Sequence, residues 1–220
     1  MQTISGTSQD FSPEFAHAVA QYRHRIFIER LGWQLPVENG EERDQFDRPD
    51  TVYVIARDGA GAICGCARLL PTTRPYLLGD VFPNLMGGAP VPQEDGVWEL
   101  SRFAVASIDA APSAADAARN TRTLLAAAIR AAAAHGARRL ITVSPLGIER
   151  LLHRMGVHAH RAGPPVLVDG KPVFACWIEI DAQTVEALGI EALPADARGD
   201  RETVDVVSGA HADAAGASLN

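Results

Sequence analysis

The chain has 220 residues, 47% of them hydrophobic, enough to bury the core of one domain and leave a tail. Its formal net charge of −7 argues against a protein that coats nucleic acid, since phosphate binding needs a net basic footprint. No window reaches the roughly 18 uninterrupted apolar residues of a membrane helix, and no basic stretch with an apolar run opens the chain, so a cytoplasmic protein is expected.

From Ser12 to Leu31, Phe15, Val19, Tyr22 and Ile26 recur at intervals of three and four, which predicts an amphipathic helix. Arg23 and Phe27, four apart, share a face of it. Gly32 ends the helix, and Glu38 to Asp50 reads as an acidic loop. Thr51 to Arg57 and Ala62 to Leu70 are β-rich runs joined by Asp58-Gly59-Ala60-Gly61, a hairpin spacing. Within the second run Cys64 and Cys66 alternate, with no nearby histidine or second cysteine pair to complete a metal site. With Cys176 they make an odd number, and all three read as core thiols.

Pro71 to Gly96, broken by prolines and glycines, reads as a long functional loop. Val97 to Ala106 is a strand. Ser113 to His135 is an Ala-rich helix with Ser113 as N-cap, Asp116 in its first turn and Gly136 past its end. Arg139 to Ser144 is a strand, Leu146 to Met155 a short helix, Val173 to Ile180 a last strand and Ala182 to Leu188 a last helix. Beyond Pro194 large apolar residues nearly vanish, which predicts a disordered tail over 194–220 after a single domain over 1–193. The order predicts a mixed sheet flanked by helices, an α/β fold.

Three charged residues conflict with this pattern. Arg68, Glu99 and Arg102 fall on strands, where Val, Ile or Leu is normal unless a site needs the charge. Glu99 and Arg102 are also three apart, so on a regular strand they would point to opposite faces. If both serve one pocket, a β-bulge or splay must lie between Leu100 and Phe103.

Six separated blocks, spanning Tyr22 to Ile180, carry a resemblance. They are Arg23 with Phe27; Leu31-Gly32-Trp33; Asp44 and Asp47 in Asp-Gln-Phe-Asp; Arg68 in Arg-Leu-Leu-Pro-Thr-Thr; Phe82 in Asp-Val-Phe-Pro; and Glu99 with Arg102 in Glu-Leu-Ser-Arg-Phe. In this order they resemble the LuxI-type acyl-homoserine lactone synthases, the autoinducer synthases of quorum sensing.

The resemblance implies a GNAT-like three-layer fold and an acyltransferase. Its reaction passes an acyl group from an acyl carrier protein thioester to the amine of S-adenosylmethionine, then closes the lactone with loss of methylthioadenosine. S-adenosylmethionine would be a substrate, and neither a prosthetic group nor a metal is implied. Arg23, Asp44, Asp47, Arg68, Glu99 and Arg102 would carry the chemistry, with Glu99 the candidate base. Phe27, Trp33, Phe82, Arg102 and Phe103 would hold S-adenosylmethionine, the aromatic faces suiting its sulfonium and the acids balancing its cations.

Leu100, Ser101, Leu125, Ile141, Thr142, Val143, Ser144, Leu151 and Trp177, with Ile129 and Leu146, are candidates to line the acyl groove. Thr142 and Ser144 lie on the strand where the family sets acyl preference, on the face opposite Val143. An acidic carrier protein calls for a basic dock, and Arg150, His153 and Arg154 on the short helix supply one, with Arg138 and Arg139 upstream.

Rival readings are a GNAT-type N-acyltransferase using acyl-CoA, or a non-catalytic sensor of S-adenosylmethionine or acyl chains. The first is disfavoured because Arg119-Asn120-Thr121-Arg122-Thr123-Leu124 lacks the glycine turn that binds a CoA pyrophosphate. A transcriptional regulator is disfavoured by the lack of a basic recognition helix.

Overall fold

A computed structural model of the chain describes residues 1–107, 113–191 and 193. The expected tail over 194–220 lies outside the described residues. In chain order the elements are β1 (Gln2–Thr7), α1 (Pro13–Arg23) continuing into a π-helix (His24–Arg30), β2 (Val37–Glu38), β3 (Glu41–Glu42), β4 (Val52–Arg57) and β5 (Ile63–Pro71). There follow α2 (Leu77–Val81), a 3-10 helix (Pro83–Met86), β6 (Val97–Val105), α3 (Ala114–Ala134), β7 (Arg139–Pro145) and α4 (Leu146–Arg154). The last described elements are β8 (Ala159–Arg161), β9 (Val166–Val168), β10 (Lys171–Glu179) and α5 (Ala182–Leu188).

One mixed sheet runs β1-β4-β5-β6-β7-β10-β8, with β9 paired to β10, while β2 and β3 form a separate small hairpin. Only β6 and β7 pair in parallel among the described strands, because α3 carries the chain back across the sheet between them. This is the helix-flanked α/β fold that the element order predicts.

Alternation divides the sheet's side chains between two faces. One face packs the main core, in which Val52, Val54, Leu69, Trp98, Leu100, Leu140, Phe174 and Cys176 meet Leu124, Leu125, Ala128 and Ile129 of α3. The other carries two smaller cores. Phe27 of the π-helix, with Tyr22 and Ile26, covers Ile55 and Cys66, and Leu78, Leu85 and Met86 cover Leu70, Ile141, Ala175 and Trp177.

Two departures from regularity shape the site. Cys66 faces Ala104 and Arg68 faces Ser101, so two residues of β6, Arg102 and Phe103, stand against the single Ala67 of β5. This is a β-bulge, and Arg102 sits in it at φ 50, the left-handed region. It falls within the interval that the spacing of Glu99 and Arg102 required. Second, the parallel ladder runs only from Val97/Arg139 to Glu99/Ile141, and past that rung β6 and β7 continue unpaired with each other.

The π-helix was not expected. The predicted helix runs to Leu31, but from His24 the turn widens, and the Leu31 amide bonds back five residues to the Ile26 carbonyl at 3.1 Å. The segment 71–96 is more ordered than its prolines suggested, because Tyr76, Leu78, Leu85 and Met86 are all buried. β1, β8 and β9 were also missed: they are short, and β1 carries one large apolar residue, Ile4. A second bulge at Ile63–Gly65 sends Cys64 to the main core and Cys66 to the opposite face. All three cysteines are buried and unpaired, as core thiols should be.

Candidate functional site

Six charged side chains on the π-helix side of the sheet form a closed ring of alternating sign. Arg23, at the end of α1, donates from Nε to Glu42 at 2.6 Å and from Nη1 to Asp47 at 2.7 Å. Asp47 also accepts from Arg68 at 3.0 Å, and Arg68 makes a two-pronged pair with Asp44 at 2.6 and 3.0 Å. Asp44 accepts from Arg102 at 2.8 Å, and Arg102 closes the ring on Glu42, also at 2.8 Å. Three arginines face three carboxylates, so the ring is neutral, and every member is buried or nearly so.

Local sequence builds the acidic half. Asp44 accepts from the Phe46 amide at 2.9 Å and Asp47 from the Asp44 amide at 2.8 Å, so Asp-Gln-Phe-Asp folds into a turn that aims both carboxylates inward. Glu42 was missed because Glu41-Glu42-Arg43 reads as a solvated charge run. Counting charge would not have found it, because Glu99 already supplied a third acid for the three arginines; only the structure shows that Glu99 binds backbone amides and Glu42 takes the arginines.

Burial works to raise the Asp47 carboxyl, but the Arg23 and Arg68 charges overcome it and hold it well below the usual carboxylate range. Glu42 is likewise lowered against its own burial, by Arg102 and Arg23. Burial opposes the charge on Arg23, yet Asp47 and Glu42 raise its pKa further. Asp47, Glu42 and Arg23 are therefore each held in their charged forms by their neighbours in the ring. Asp44 and Asp47, expected to balance substrate cations, each pair with two arginines here.

The arginines are not equally occupied. Nε and both Nη atoms of Arg23 and of Arg68 have partners, Ser101 accepting from Arg68 Nε at 3.0 Å. Arg102 uses Nε and Nη2 only, so its Nη1 makes no hydrogen bond to any described residue.

Phe27 and Trp33 stack with centroids 5.0 Å apart, and the Arg102 guanidinium lies 5.8 Å from the Phe27 ring. Phe82, between α2 and the 3-10 helix, packs with the Leu78–Trp177 core instead, across the ring from Phe27. Phe103 departs from expectation: the bulge turns it into the main core beneath α3, away from the other aromatics.

Glu99 is on the ring's face of the sheet but outside the ring. Its Oε1 accepts from the Leu78 amide at 2.7 Å and its Oε2 from the Leu77 amide at 3.0 Å. Burial pushes its carboxyl up to about 7, partly offset by the Leu78 amide and Arg68.

The expected acyl-lining residues do not form one groove, because the sheet separates them. Leu100, Leu125, Ile129, Leu146 and Leu151 belong to the main core side, and Thr142 and Ser144 share it, since they stand opposite Cys176 and Phe174 in the ladder. Their hydroxyls are 3.3 Å apart. Ile141, Val143 and Trp177 lie on the other face, and Ser101 is on the ring's side.

On α4, Arg150 and Arg154 are exposed and make no ion pair with described residues, while His153 bonds the Ala159 carbonyl at 3.1 Å. Arg161, nearby on β8, is neutralised by Glu149. Arg139 instead stacks on Trp177 at 3.7 Å. A cavity of about 310 Å³ between Tyr22, Arg25, Arg57 and Ile63 is lined by none of the expected site residues. Among the described residues no group of three His, Cys, Asp or Glu is placed to hold a metal ion.

The family model described as autoinducer synthase matches residues 9–188. An acyl-homoserine-lactone synthase of Ralstonia nicotianae is 59% identical over 175 residues, 79% of this chain and 86% of that protein. The crystal structure of TofI, in a ternary complex with an inhibitor and MTA, superposes at TM-score 0.76 with 53% identity, covering 86% of this chain and 97% of that one. BjaI, a CoA-dependent acyl-homoserine lactone synthase solved with SAM and isopentyl-CoA, superposes at 0.74 with 28% identity over 87% and 90%. In fold alone, an N-acetyltransferase-like structure from Lactobacillus plantarum is similar at TM-score 0.54 and 20% identity.

Proposed function

This chain belongs to the autoinducer synthase family and is an acyl-homoserine-lactone synthase, and from that premise we propose that its acyl donor is an acyl carrier protein thioester and its acceptor S-adenosylmethionine. The observation that carries the reading is the division of the sheet into two chemically different faces that meet where β6 and β7 part, beyond Glu99/Ile141. The charged ring and the Phe27/Trp33 pair lie on one face, and the apolar core with the Thr142 and Ser144 hydroxyls lies on the other. A polar cationic substrate and an acyl chain each find their own solvent, and the gap lets amine and thioester carbon meet.

S-adenosylmethionine carries a carboxylate, an amine and a sulfonium. Arg102 Nη1 offers donors for the carboxylate, its guanidinium already held by Glu42 and Asp44. Phe27 and Trp33 offer π-faces to the sulfonium, worth roughly 0.5–2 kcal/mol as desolvation increases. Because the ring is neutral and each of its carboxylates is held by two arginines, it does not collapse onto the substrate. It serves as a rigid polar wall, which is how positioning gains rate.

An α-amino group has a pKa of about 7.7–8.0, so a water can take its proton near neutrality. The amine then attacks the thioester and the thiol leaves. Ring closure follows when the substrate's carboxylate displaces the neutral thioether at the γ-carbon, a step that transfers no proton.

Two features favour a carrier protein over CoA. Arg150 and Arg154 form a basic face, without ion pairs to described residues, on an acidic chain. The first turn of α3, where acetyltransferase-like folds bind pyrophosphate, holds Asp116, whose amide is capped by Ser113 at 3.1 Å. The segment Arg119–Leu124 lies farther along the helix and does not bear on that site. The test is to incubate the protein with S-adenosylmethionine and either acyl-carrier proteins or the matching acyl-CoAs, and to follow lactone and methylthioadenosine by mass spectrometry. Faster turnover with acyl-CoA would overturn the donor assignment, and no lactone from either donor would overturn the reaction.

A further inference from the structure

We propose that Glu99 is a positioning residue: its carboxylate clamps α2 against the sheet and, through α2, sets the Phe82 ring for S-adenosylmethionine binding. The inference rests on reading Phe82 as a wall of that pocket.

α2 is a five-residue helix that cannot hold itself. Its N-cap, Tyr76, supplies no side-chain cap, and Tyr76 turns its hydroxyl to the Pro92 carbonyl at 2.8 Å instead. The first amides of the helix are nevertheless satisfied, by a carboxylate 21 and 22 residues away on the central strand. Each oxygen takes one amide, at 2.7 and 3.0 Å, which fixes the helix in register as well as distance. Three residues past Gly79 comes Phe82, whose amide bonds the Leu78 carbonyl at 3.1 Å and whose carbonyl accepts from Leu85. The position of Leu78 is therefore transmitted to Phe82 by one turn of backbone.

Glu99 stands on the last rung before β6 and β7 part, opposite Leu70 and Ile141, so the clamp lies at the apex of the gap. The charged and titratable groups that act on it are Arg68 of β5, Arg102 of β6 and Tyr76 ahead of α2. Tyr76 also feels Asp80. Ile141, Ala175 and Trp177 of β7 and β10 present only apolar surface there. A group buried this deeply with both oxygens engaged is built to hold backbone, and its carboxyl, raised to about 7, makes the hold weaken in mild acid.

Two variants test this in the full-length protein. Glu99→Gln replaces one acceptor oxygen by a carboxamide NH2, a donor that would face a backbone N–H. Leu77→Pro leaves Glu99 intact and removes one donor at the first helical position, where proline is well tolerated. Both should speed hydrogen exchange at the α2 amides that remain and raise the dissociation constant for S-adenosylmethionine roughly tenfold, with a smaller fall in kcat. In the parent protein that constant should rise as pH falls below about 7, and in Glu99→Gln it should be flat.

A Glu99→Gln variant with normal binding and exchange but kcat down by a hundredfold or more would overturn the proposal and make Glu99 the base. Faster exchange with unaltered binding would also overturn it, by showing that α2 does not bear on the pocket. Failure of the parent protein to bind S-adenosylmethionine would instead refute the functional reading beneath it.

Discussion

Arg68 and Asp44 meet in a two-pronged pair, Nη1 to Oδ1 at 2.6 Å and Nη2 to Oδ2 at 3.0 Å, with both side chains almost wholly out of water. Such a pair is stable only in company, because each ion has given up its hydration. Its company is the rest of the ring, and the ring's energetics set the first prediction.

Removing one acid should leave two buried arginines short of a partner. Asp47→Ala, which strips Arg23 and Arg68 of a shared carboxylate and Tyr53 of its acceptor at 2.6 Å, should cost about 3–5 kcal/mol in urea unfolding. A loss below about 1 kcal/mol, the range of exposed pairs, would mean that water replaces the missing charge.

The ring should also set the acid limit. Glu42 and Asp47 have folded pKa values below their unfolded ones, so the unfolded chain takes up protons first. Their stabilisation is complete above about pH 4.5 and is lost as pH falls toward the lower folded values. Thermal unfolding followed by circular dichroism should show Tm falling steeply below that point, and Asp47→Asn should fall less steeply from a lower start. Parallel curves for the two proteins would refute the assignment.

Arg102→Lys keeps the charge but loses the forked contact to Glu42 and the Nη1 donors, which no described residue uses. Calorimetric affinity for S-adenosylmethionine should drop roughly tenfold or more. Unaltered affinity would show that Nη1 does not meet the substrate.

Arg150→Glu combined with Arg154→Glu should raise KM for an acyl carrier protein by about tenfold at low salt, with the difference shrinking as salt screens it. Turnover of a small thioester should be insensitive to the change. If KM for the carrier protein stays constant, α4 is not its dock.

Gly163 touches the backbone of the 3-10 helix so closely that an added Cβ would overlap the Leu85 carbonyl and lie 2.7 Å from the Gly87 nitrogen. Gly163→Ala should lower stability by about 1–3 kcal/mol. Calorimetric scanning with no shift in Tm would show that the two loops part without cost.

Much of this could be read from the chain. The pattern located α1, α3, α4, α5 and the central strands, because each buries one continuous stripe, but not α2 or the 3-10 helix after it, and charge on a strand flagged Arg68, Glu99 and Arg102. The arrangement of those residues was harder to read. Glu42 hides in a charge run, and only the ring gives it a partner. Phe103 looked equivalent to Arg102 until the bulge turned it to the other face. Glu99 looked like a free carboxylate because its partners are backbone amides, which no side-chain pattern records. The acyl candidates failed as one set because sequence shows that a residue is apolar but not which of two cores receives it.

The bulge at Arg102 acts on β6 as a frameshift acts on a message. Up to Ser101 odd-numbered positions face the ring and even ones the main core; after Arg102 the parity is reversed, with Phe103 and Val105 turned to the core and Ala104 to the π-helix side. A library that varies this strand under one inside-outside rule will therefore put polar residues in the core on one half of it. Deleting Arg102 alone should restore plain alternation and leave Phe103, Ala104 and Val105 on their present faces, so its harm should come from the lost guanidinium, whereas inserting a residue into regular strand elsewhere would turn every later side chain over.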